Sequence, residues 1–413
     1  MYIVLSIVHL LVTLGLSLIV LLQSGKGADI GAAFGGGILN EGTLSLTDCI
    51  VEYNVAYSVY DLGYGGGICN EGTLTLASSR VGHNTGYSWD WAWGGGIASA
   101  STLVLTSSVV GNNYIVGWDG AAGGGIDNEG VASLTDCVVS DNAAVTDAWV
   151  YGGGLSNSGG GQLTLTNSTV DRNTAYSYGY GGYGGGIENY YGTLTLNSST
   201  VSHNTLDAWQ FGAEGGIENE GGTVSLTNCT VSSNEVWGYD SYTGGVGNWN
   251  RSLPQLGHEL GAAGPAPDPA TVQRHSADVL GSMTPPAGIQ FPPDWGSREP
   301  PSSADLLASD MAAVRMPAVG GGLQQQGEVS TTLTNCTVTQ NAAYHYGGEA
   351  WAGGIWNNDT LILRCTIVYG NYAVDGPRDV VNAGLGVCAK QESIVGNPDG
   401  DPDPLLGPLQ DNG

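Results

Sequence analysis

The sequence predicts one N-terminal transmembrane α-helix followed by an all-β, right-handed parallel β-helix built from coils of about 30 residues. Three observations lead to this fold class. The first 22 residues are apolar and carry no formal charge. A Gly-rich unit then recurs at a nearly fixed spacing over most of the chain, which is typical of a solenoid. Within each unit apolar and polar residues alternate, which indicates strands rather than helices.

Composition excludes two classes of partner. Acidic residues outnumber basic ones 38 to 10, and the net charge is −28. Nucleic-acid binding needs Lys and Arg to displace phosphate counterions, so we expect no nucleic-acid partner. Docking on anionic lipid headgroups is disfavoured for the same reason. The chain has 11 Trp and 20 Tyr but only 3 Phe, a bias that suits wet surfaces more than a closed core.

Residues 1–24 are the predicted transmembrane helix. About 20 apolar residues are enough to span a bilayer as a helix. The alternative is a cleaved signal peptide, but a basic n-region and an A-x-A-like cleavage site are absent. A buried soluble helix is a third alternative. Lys26 is the nearby basic residue, and the positive-inside rule then places it in the cytoplasm and the N-terminus outside.

Residues 1–37 resemble SecG, the small accessory subunit of the bacterial Sec protein-export translocon. The specific part of the resemblance, which implies contact with the translocon, consists of Leu21, Leu22, Gln23, Gly25, Lys26, Gly27, Ala28, Asp29, Gly31 and Phe34, with Ala32, Ala33 and three glycines. The resemblance implies an N-out first helix, a Gly-rich juxtamembrane loop over 25–37 beside the channel subunits, and a location in the bacterial inner membrane. In the family a second transmembrane helix follows, but this sequence has no second apolar run of 18 residues.

The repeat is defined by an apolar residue that closes each Gly run. This residue stands at Ile38, Ile68, Ile97, Ile126, Leu155, Ile187, Ile217 and Val246, and the pattern returns at Leu323 and Ile355. An Asn recurs in the same units at Asn54, Asn84, Asn113, Asn142, Asn173, Asn204, Asn234, Asn341 and Asn371. These positions predict β-helix coils over 38–250 and 318–375. Because one unit cannot bury its own apolar face, the units are expected to stack.

The segment Thr193 to Val201 predicts how one coil is built. Leu194, Leu196 and Val201 should point inward, and the Asn columns should form side-chain ladders at the corners. Residues 35–371 resemble the β-helix repeats of bacterial surface proteins of the polymorphic outer-membrane type. That resemblance implies a cell-surface or extracellular location, which conflicts with the cytoplasmic side implied by the first helix. A fusion, natural or by sequence assembly, would explain the conflict.

Two segments depart from the repeat. Residues 251–317 hold 11 of the 16 Pro residues and are predicted to be a disordered insertion, with an out-of-frame stretch as the alternative. Residues 376–413 are predicted to be a C-terminal tail. Its last part, Asp401 to Gly413, resembles the segment that follows such repeats in large bacterial surface proteins and stops within that motif.

The seven cysteines predict free thiols. Cys49, Cys137, Cys229, Cys336 and Cys365 are expected at the same place in the unit. By sequence spacing Cys336 and Cys365 are the pair expected in neighbouring coils, while Cys49 and Cys137 are three coils apart. Buried thiols acting as small hydrophobic groups are the default interpretation.

The variable loops carry most of the aromatic residues and should stack on one side of the solenoid. A possible ligand strip consists of Trp89, Asp90, Trp91, Trp93, Trp118, Asp119, Asp147, Trp149, Asp207 and Trp209. Such a strip could bind a glycan or protein ligand, or calcium, although solvated loops are the favoured interpretation. We expect no metal site, because zinc spacing, the EF-hand pattern and the calcium-binding nonapeptide repeat are absent.

Two functions therefore remain. The first is a SecG-like membrane component of the Sec translocon, fused to a β-helix array. The alternative is a surface or secreted β-solenoid that binds or adheres. We expect no enzymatic activity, catalytic residue or cofactor, since the acids are spread along the coils rather than paired in a cleft.

Overall fold

The computed structural model describes residues 33–34, 36–58, 62–249, 329–345, 348–375, 379–382 and 386–396. Within these ranges no helix is long and apolar enough to cross a membrane. The predicted transmembrane helix over 1–24 and the predicted insertion over 251–317 both lie outside the described residues.

The described chain is a right-handed parallel β-solenoid of about nine turns, as the repeat predicts. Its strands form five parallel sheets, which we number in the order that each coil visits them. Sheet 1 contains the strands Ile38–Asn40, Ile68–Asn70, Ile97–Ser99, Ile126–Asn128, Leu155–Asn157, Ile187–Tyr190, Ile217–Glu220, Val246–Trp249, Ile355–Asn357 and Val380–Asn382. Sheet 2 contains Thr43–Thr47, Thr73–Ala77, Thr102–Thr106, Val131–Thr135, Gln162–Thr166, Thr193–Asn197, Thr223–Thr227, Ser330–Thr334, Thr360–Arg364 and Val387–Gln391.

The other three sheets complete each coil. Sheet 3 contains Ile50–Glu52, Arg80–Gly82, Val109–Gly111, Val138–Ser140, Thr169–Asp171, Thr200–Ser202, Thr230–Ser232, Thr337–Thr339, Ile367–Val368 and Ile394–Val395. Sheet 4 contains Val55–Ser58, Thr85–Ser88, Tyr114–Gly117, Ala143–Thr146, Thr174–Ser177, Thr205–Ala208, Glu235–Gly238, Ala342–His345 and Tyr372–Ala373. Sheet 5 contains Ala33–Phe34, Gly63–Tyr64, Trp91–Trp93, Gly120–Ala122, Trp149–Tyr151, Gly181–Tyr183, Phe211–Glu214, Asp240–Thr243 and Ala350–Ala352.

Two separate cores run along the solenoid. Sheets 1, 2 and 3 enclose the larger core, in which Leu194, Leu196 and Val201 are fully buried as predicted. Sheets 4 and 5 face each other across a thinner core of small and branched residues, such as Ala121, Ile115 and Val150. The alternation of side chains along each strand produces both cores, because every second residue points inward.

Asparagine ladders fix the corner between sheets 3 and 4. Asn113 Nδ2 donates to Asn142 Oδ1 at 2.9 Å and to the carbonyl oxygen of Val81 at 3.0 Å. Asn142 repeats this arrangement with Asn173. The ladder continues through Asn234 to Asn341 and satisfies backbone groups that the corner takes out of the sheets.

The insertion does not interrupt the stack of coils. Val246 of sheet 1 pairs directly with Ile355, and Thr223 of sheet 2 pairs with Ser330. The chain therefore leaves one coil after Trp249 and re-enters the same coil at sheet 2. Leu323, where the sequence predicts that the repeat returns, lies outside the described residues; among the described strands of sheet 1, Val246–Trp249 is the direct neighbour of Ile355–Asn357.

Two other boundaries differ from the sequence prediction. Ala33–Phe34 pair with Gly63–Tyr64, so the solenoid begins inside the segment assigned to the Gly-rich loop over 25–37. At the other end Val380–Asn382 pair with Ile355–Asn357, so a further partial coil occupies part of the predicted tail over 376–413. The sequence does not indicate this last coil, because the coil is several residues shorter than the others and lacks the Gly run that marks them.

Candidate functional site

The structure divides the predicted ligand strip into three surfaces. The first lies on the loops between sheets 4 and 5. Trp89 and Trp118 stack there with ring centroids 5.6 Å apart, and 41% of Trp89 remains exposed. Trp209 lies on the equivalent loop further along the solenoid.

Three aspartates belong to the same loop edge. Burial raises the pKa of the Asp119 carboxyl, and the neighbouring charges of Asp90 and Asp147 raise it further. These three carboxylates are therefore close enough to repel one another. We refer to Trp89, Asp90, Trp118, Asp119 and Asp147 together as the loop edge.

The second surface is the outer face of sheet 5. Trp91 stacks on Trp93 at 5.9 Å and on Tyr151 at 5.9 Å, while Trp149 stacks on Tyr183 at 6.0 Å. Because the intervening Gly120 and Gly181 leave space beside the tryptophans, each large ring can lie along the sheet. Trp93 is only 4% exposed, so it contributes to packing more than to a free surface.

Asp207 differs from the other predicted aspartates in its burial, although Tyr178 lies near both Asp207 and Asp147. Asp207 lies within the strand Thr205–Ala208 of sheet 4 and is only 3% exposed. The sequence predicts a loop at Asp207, because the residues on either side of it belong to the variable part of the repeat unit. The predicted strip is thus not one continuous surface.

A set of buried acids was missed by sequence reasoning. Asp127, Glu188 and Glu218 are the second residues of three sheet 1 strands, and Glu214 ends a sheet 5 strand. We call these four residues the acidic seam; each is at most 3% exposed. The sequence places Asp127, Glu188 and Glu218 at the middle position of the Ile-x-Asn triplet. An acid at an isolated position of a strand is normally expected to face solvent, so their burial was not predicted.

The acidic seam lies where the outer faces of sheets 1 and 5 meet. Trp249 Nε1 donates to Glu214 Oε1 at 2.5 Å, and Tyr242 packs on Trp249 with ring centroids 4.5 Å apart. Glu214 Oε2 and Asp127 Oδ1 have no hydrogen-bond partner. Burial raises the pKa of Asp127, Glu188 and Glu214 well above the usual carboxyl range, because the charged form is poorly solvated there.

The acidic seam does not resemble a preformed metal site. Across the described ranges, no group of three or more His, Cys, Asp or Glu side chains is arranged to hold a metal ion. Asp127, Glu188 and Glu218 lie in one column of sheet 1 on different coils, and Glu214 reaches from sheet 5 to Gly247 of the same column.

The predicted translocon-contact residues are almost all outside the described part of the chain. These residues are Leu21, Leu22, Gln23, Gly25, Lys26, Gly27, Ala28, Asp29 and Gly31. Phe34 is described in its backbone, which pairs with Tyr64 in sheet 5. The contact prediction for this set remains untested.

Comparison with known families identifies one match. Residues 2–45 match the family model of the preprotein translocase SecG subunit. The match covers about a tenth of the chain and includes the first sheet 1 strand, Ile38–Asn40, so the matched segment and the solenoid overlap. No curated protein and no solved structure matches the chain significantly.

Proposed function

We propose that the chain is a SecG-like membrane component of the Sec export machinery that carries a β-solenoid as a fused repeat array. The observation that carries this proposal is the SecG family match over residues 2–45. The apolar run over residues 1–22 supports it, because its length suits a helix across the inner membrane. The proposed partners are the channel subunits of the translocon, and no enzymatic activity or cofactor is proposed.

The proposal includes a loss of ordinary SecG activity. The family resemblance implies two transmembrane helices, whereas this sequence has one long apolar run. The solenoid begins at Ala33–Phe34, inside the matched segment 2–45. We therefore propose that the chain associates with the channel but does not replace SecG in a strain that lacks it.

Site-specific photo-crosslinking would test the association. A photoreactive residue at Gln23 in the full chain should cross-link to the Sec channel subunit in bacterial membranes. The same probe at Val138, an exposed position on sheet 3, is the control and should give no such product. Equal yields from both positions, or no product from Gln23, would contradict the proposal.

The second candidate is a surface β-solenoid that binds a glycan. The loop edge favours it, because the stacked Trp89 and Trp118 rings lie beside three carboxylates. Aromatic faces offer apolar area to sugar rings, and carboxylates accept hydrogen bonds from hydroxyl groups.

A glycan-binding screen with the full chain would test this second candidate. Trp89→Ala removes one aromatic face from the loop edge. If that face contributes about 1.4 kcal/mol of binding free energy, the affinity for any retained glycan should fall about tenfold. Tyr53→Ala is the matched control, because Tyr53 is an exposed aromatic residue in another part of the solenoid. If the parent protein retains no glycan, or if both variants bind as well as the parent, the loop edge is not a glycan site.

A further inference from the structure

Cys229 and Cys336 occupy adjacent coils although 107 positions separate them in the sequence. Thr230 pairs with Thr337, and Thr337 N donates to the carbonyl oxygen of Cys229 at 2.9 Å. The two cysteines therefore stand at the same position of neighbouring coils, at the corner between sheets 2 and 3 and one residue before the paired strands Thr230–Ser232 and Thr337–Thr339. Such positions are about 4.8 Å apart, within the Cα separation of roughly 4.4–6.8 Å found in disulfides.

Both side chains point into the larger core. Each cysteine is 2% exposed, and each thiol lies near the carbonyl oxygen two residues earlier: Cys229 Sγ is 3.2 Å from Thr227 O, and Cys336 Sγ is 3.2 Å from Thr334 O. The two thiols thus have the same orientation relative to their strands. A hydrogen bond between them lowers the pKa of the Cys229 thiol and raises that of the Cys336 thiol.

Most other positions of this column hold hydroxyl residues, and Cys49 and Cys137 each neighbour serines in it. Ser79, Ser108, Ser168 and Ser199 occupy the equivalent position in other coils, and their hydroxyls accept hydrogen bonds from the backbone of the preceding coil. Thr366 follows Cys336 in the column, because Cys336 N donates to its hydroxyl. Among the described residues, Cys229 and Cys336 are therefore the two cysteines stacked directly on each other.

The prediction that Cys365 occupies the same place in the unit as Cys336 is wrong, because Thr366 takes that place. Cys365 lies one residue before the column, at a corner with φ of 48°, and its exposed thiol faces Glu392. Counting residues placed Cys365 in the column because the step from Cys336 is 29. The coil at this point is one residue longer, as the pairing of Thr337 with Ile367 shows.

The described cysteines are free thiols in the structure. We propose that Cys229 and Cys336 form an intramolecular disulfide when the protein meets an oxidising environment. The bond would join the chain segments before and after the insertion. The reaction is thiol–disulfide exchange with an oxidised small-molecule or protein disulfide. One cysteine thiolate attacks the oxidant disulfide and releases one thiolate; the second cysteine then attacks the mixed disulfide and releases the other. The two cysteines lose two electrons and two protons in total, and the oxidant gains both as two thiols.

The experiment maps the bond by mass spectrometry in the full chain. The purified protein is equilibrated in an oxidised and reduced glutathione buffer, free thiols are alkylated in denaturant, and the protein is digested with trypsin. Cys229 then lies on peptide 173–251, Cys336 on 316–364 and Cys365 on 365–378. We expect peptides 173–251 and 316–364 to be linked, and the link to disappear after reduction.

Two variants make the result specific. Cys229→Ser introduces the residue that the column itself uses at Ser199, so the variant should fold and should lose the link. Cys137→Ser is the matched control, since Cys137 is equally buried but is stacked between Ser108 and Ser168. This control should keep the link in the same yield as the parent.

Two results would overturn the proposal. One is recovery of both Cys229 and Cys336 as free thiols, alkylated in denaturant, after the folded protein has been equilibrated under oxidising conditions. The other is a link between peptides 316–364 and 365–378, which would show that Cys336 prefers Cys365. Neither result depends on whether the chain associates with the translocon.

Discussion

At the scale of single residues, the asparagine ladder holds each coil to the next. Asn142 is 1% exposed, and its Nδ2 donates both to Asn173 Oδ1 and to the carbonyl oxygen of Val110. Its own Oδ1 accepts from the backbone and side chain of Asn113. The sequence predicts this ladder because the Asn spacing follows the coil length. It does not predict that the acids of the seam are buried, since the position of Asp127 and Glu188 in the repeat does not reveal the contact with sheet 5.

Removing one ladder side chain should destabilise the solenoid strongly. Asn142→Ala leaves buried donors and acceptors on two neighbouring coils without partners, and we expect a loss of about 2–4 kcal/mol in the free energy of unfolding. Denaturant unfolding followed by circular dichroism measures this change. Asn197→Ala is the control, because its half-buried side chain makes no hydrogen bond; its effect should stay within about 0.5 kcal/mol. Equal losses in the two variants would contradict a structural role for the ladder.

At the scale of the elements, the turn between sheets 5 and 1 uses a glycine of positive φ in several coils, whereas Glu214 and Thr243 take that place in later coils with another backbone conformation. Gly94, Gly123 and Gly152 all have positive φ, and a Cβ on Gly152 would collide with the carbonyl oxygen of Leu155. The sequence indicates these turns through the Gly runs. It cannot show that the turn brings the outer faces of sheets 1 and 5 together, because that contact depends on the three-dimensional angle of the turn.

Gly152→Ala should therefore weaken the whole coil. Both the positive φ and the collision oppose an L side chain, and we expect at least about 2 kcal/mol of destabilisation. Gly42→Ala serves as the control, since a Cβ there has no neighbouring atom within 4 Å and Ser101 occupies the equivalent position of another coil. Thermal unfolding measures the loss of stability in each variant, which should be large for Gly152→Ala and small for Gly42→Ala. A Gly152→Ala protein as stable as the parent would show that the turn tolerates a side chain.

The acidic seam makes the stability of sheets 1 and 5 depend on pH. Since burial raises the pKa of Glu188 in the folded state, the folded protein retains a proton that the unfolded chain releases. The protonated seam is thus fully stabilising below the pKa of an unfolded carboxyl, and that stabilisation is lost as the pH rises toward the higher folded-state pKa. We expect the thermal midpoint to fall between pH 4 and pH 8.

Glu188→Gln tests the seam directly. The amide keeps the shape of the side chain without its titration, so the variant should melt a few degrees above the parent at pH 8 and show no such gain at pH 4. Glu41→Gln, on an exposed residue of the first coil, should melt as the parent does at both pH values. If Glu188→Gln gains nothing at pH 8, the seam carboxylates do not oppose folding when charged.

At the scale of the whole molecule, the solenoid and the SecG-like segment meet within one stretch of sequence. Residues 2–45 match the SecG family, yet Ala33–Phe34 and Ile38–Asn40 already pair with the second coil. The sequence predicts the class of fold, the coil length and the inward residues of both regular stretches. The sequence does not predict how the coils continue around the insertion. The spacing of the repeat residues cannot show that the chain re-enters the same coil that it left.

The two proposed functions place the solenoid on opposite sides of the membrane. An N-out helix over residues 1–24 puts Lys26 and all following coils in the cytoplasm. A surface-binding solenoid requires the same coils to be exported. The orientation of the first segment therefore decides between the two functions more directly than any property of the coils.

Topology reporters fused to the chain would make this decision. Alkaline phosphatase, which is active outside the cytoplasm, and green fluorescent protein, which fluoresces inside it, are each fused after Gly37 and after Trp249 in bacterial cells. The SecG-like account predicts fluorescence and no phosphatase activity at both positions. Phosphatase activity without fluorescence at both positions would contradict that account and favour an exported β-solenoid.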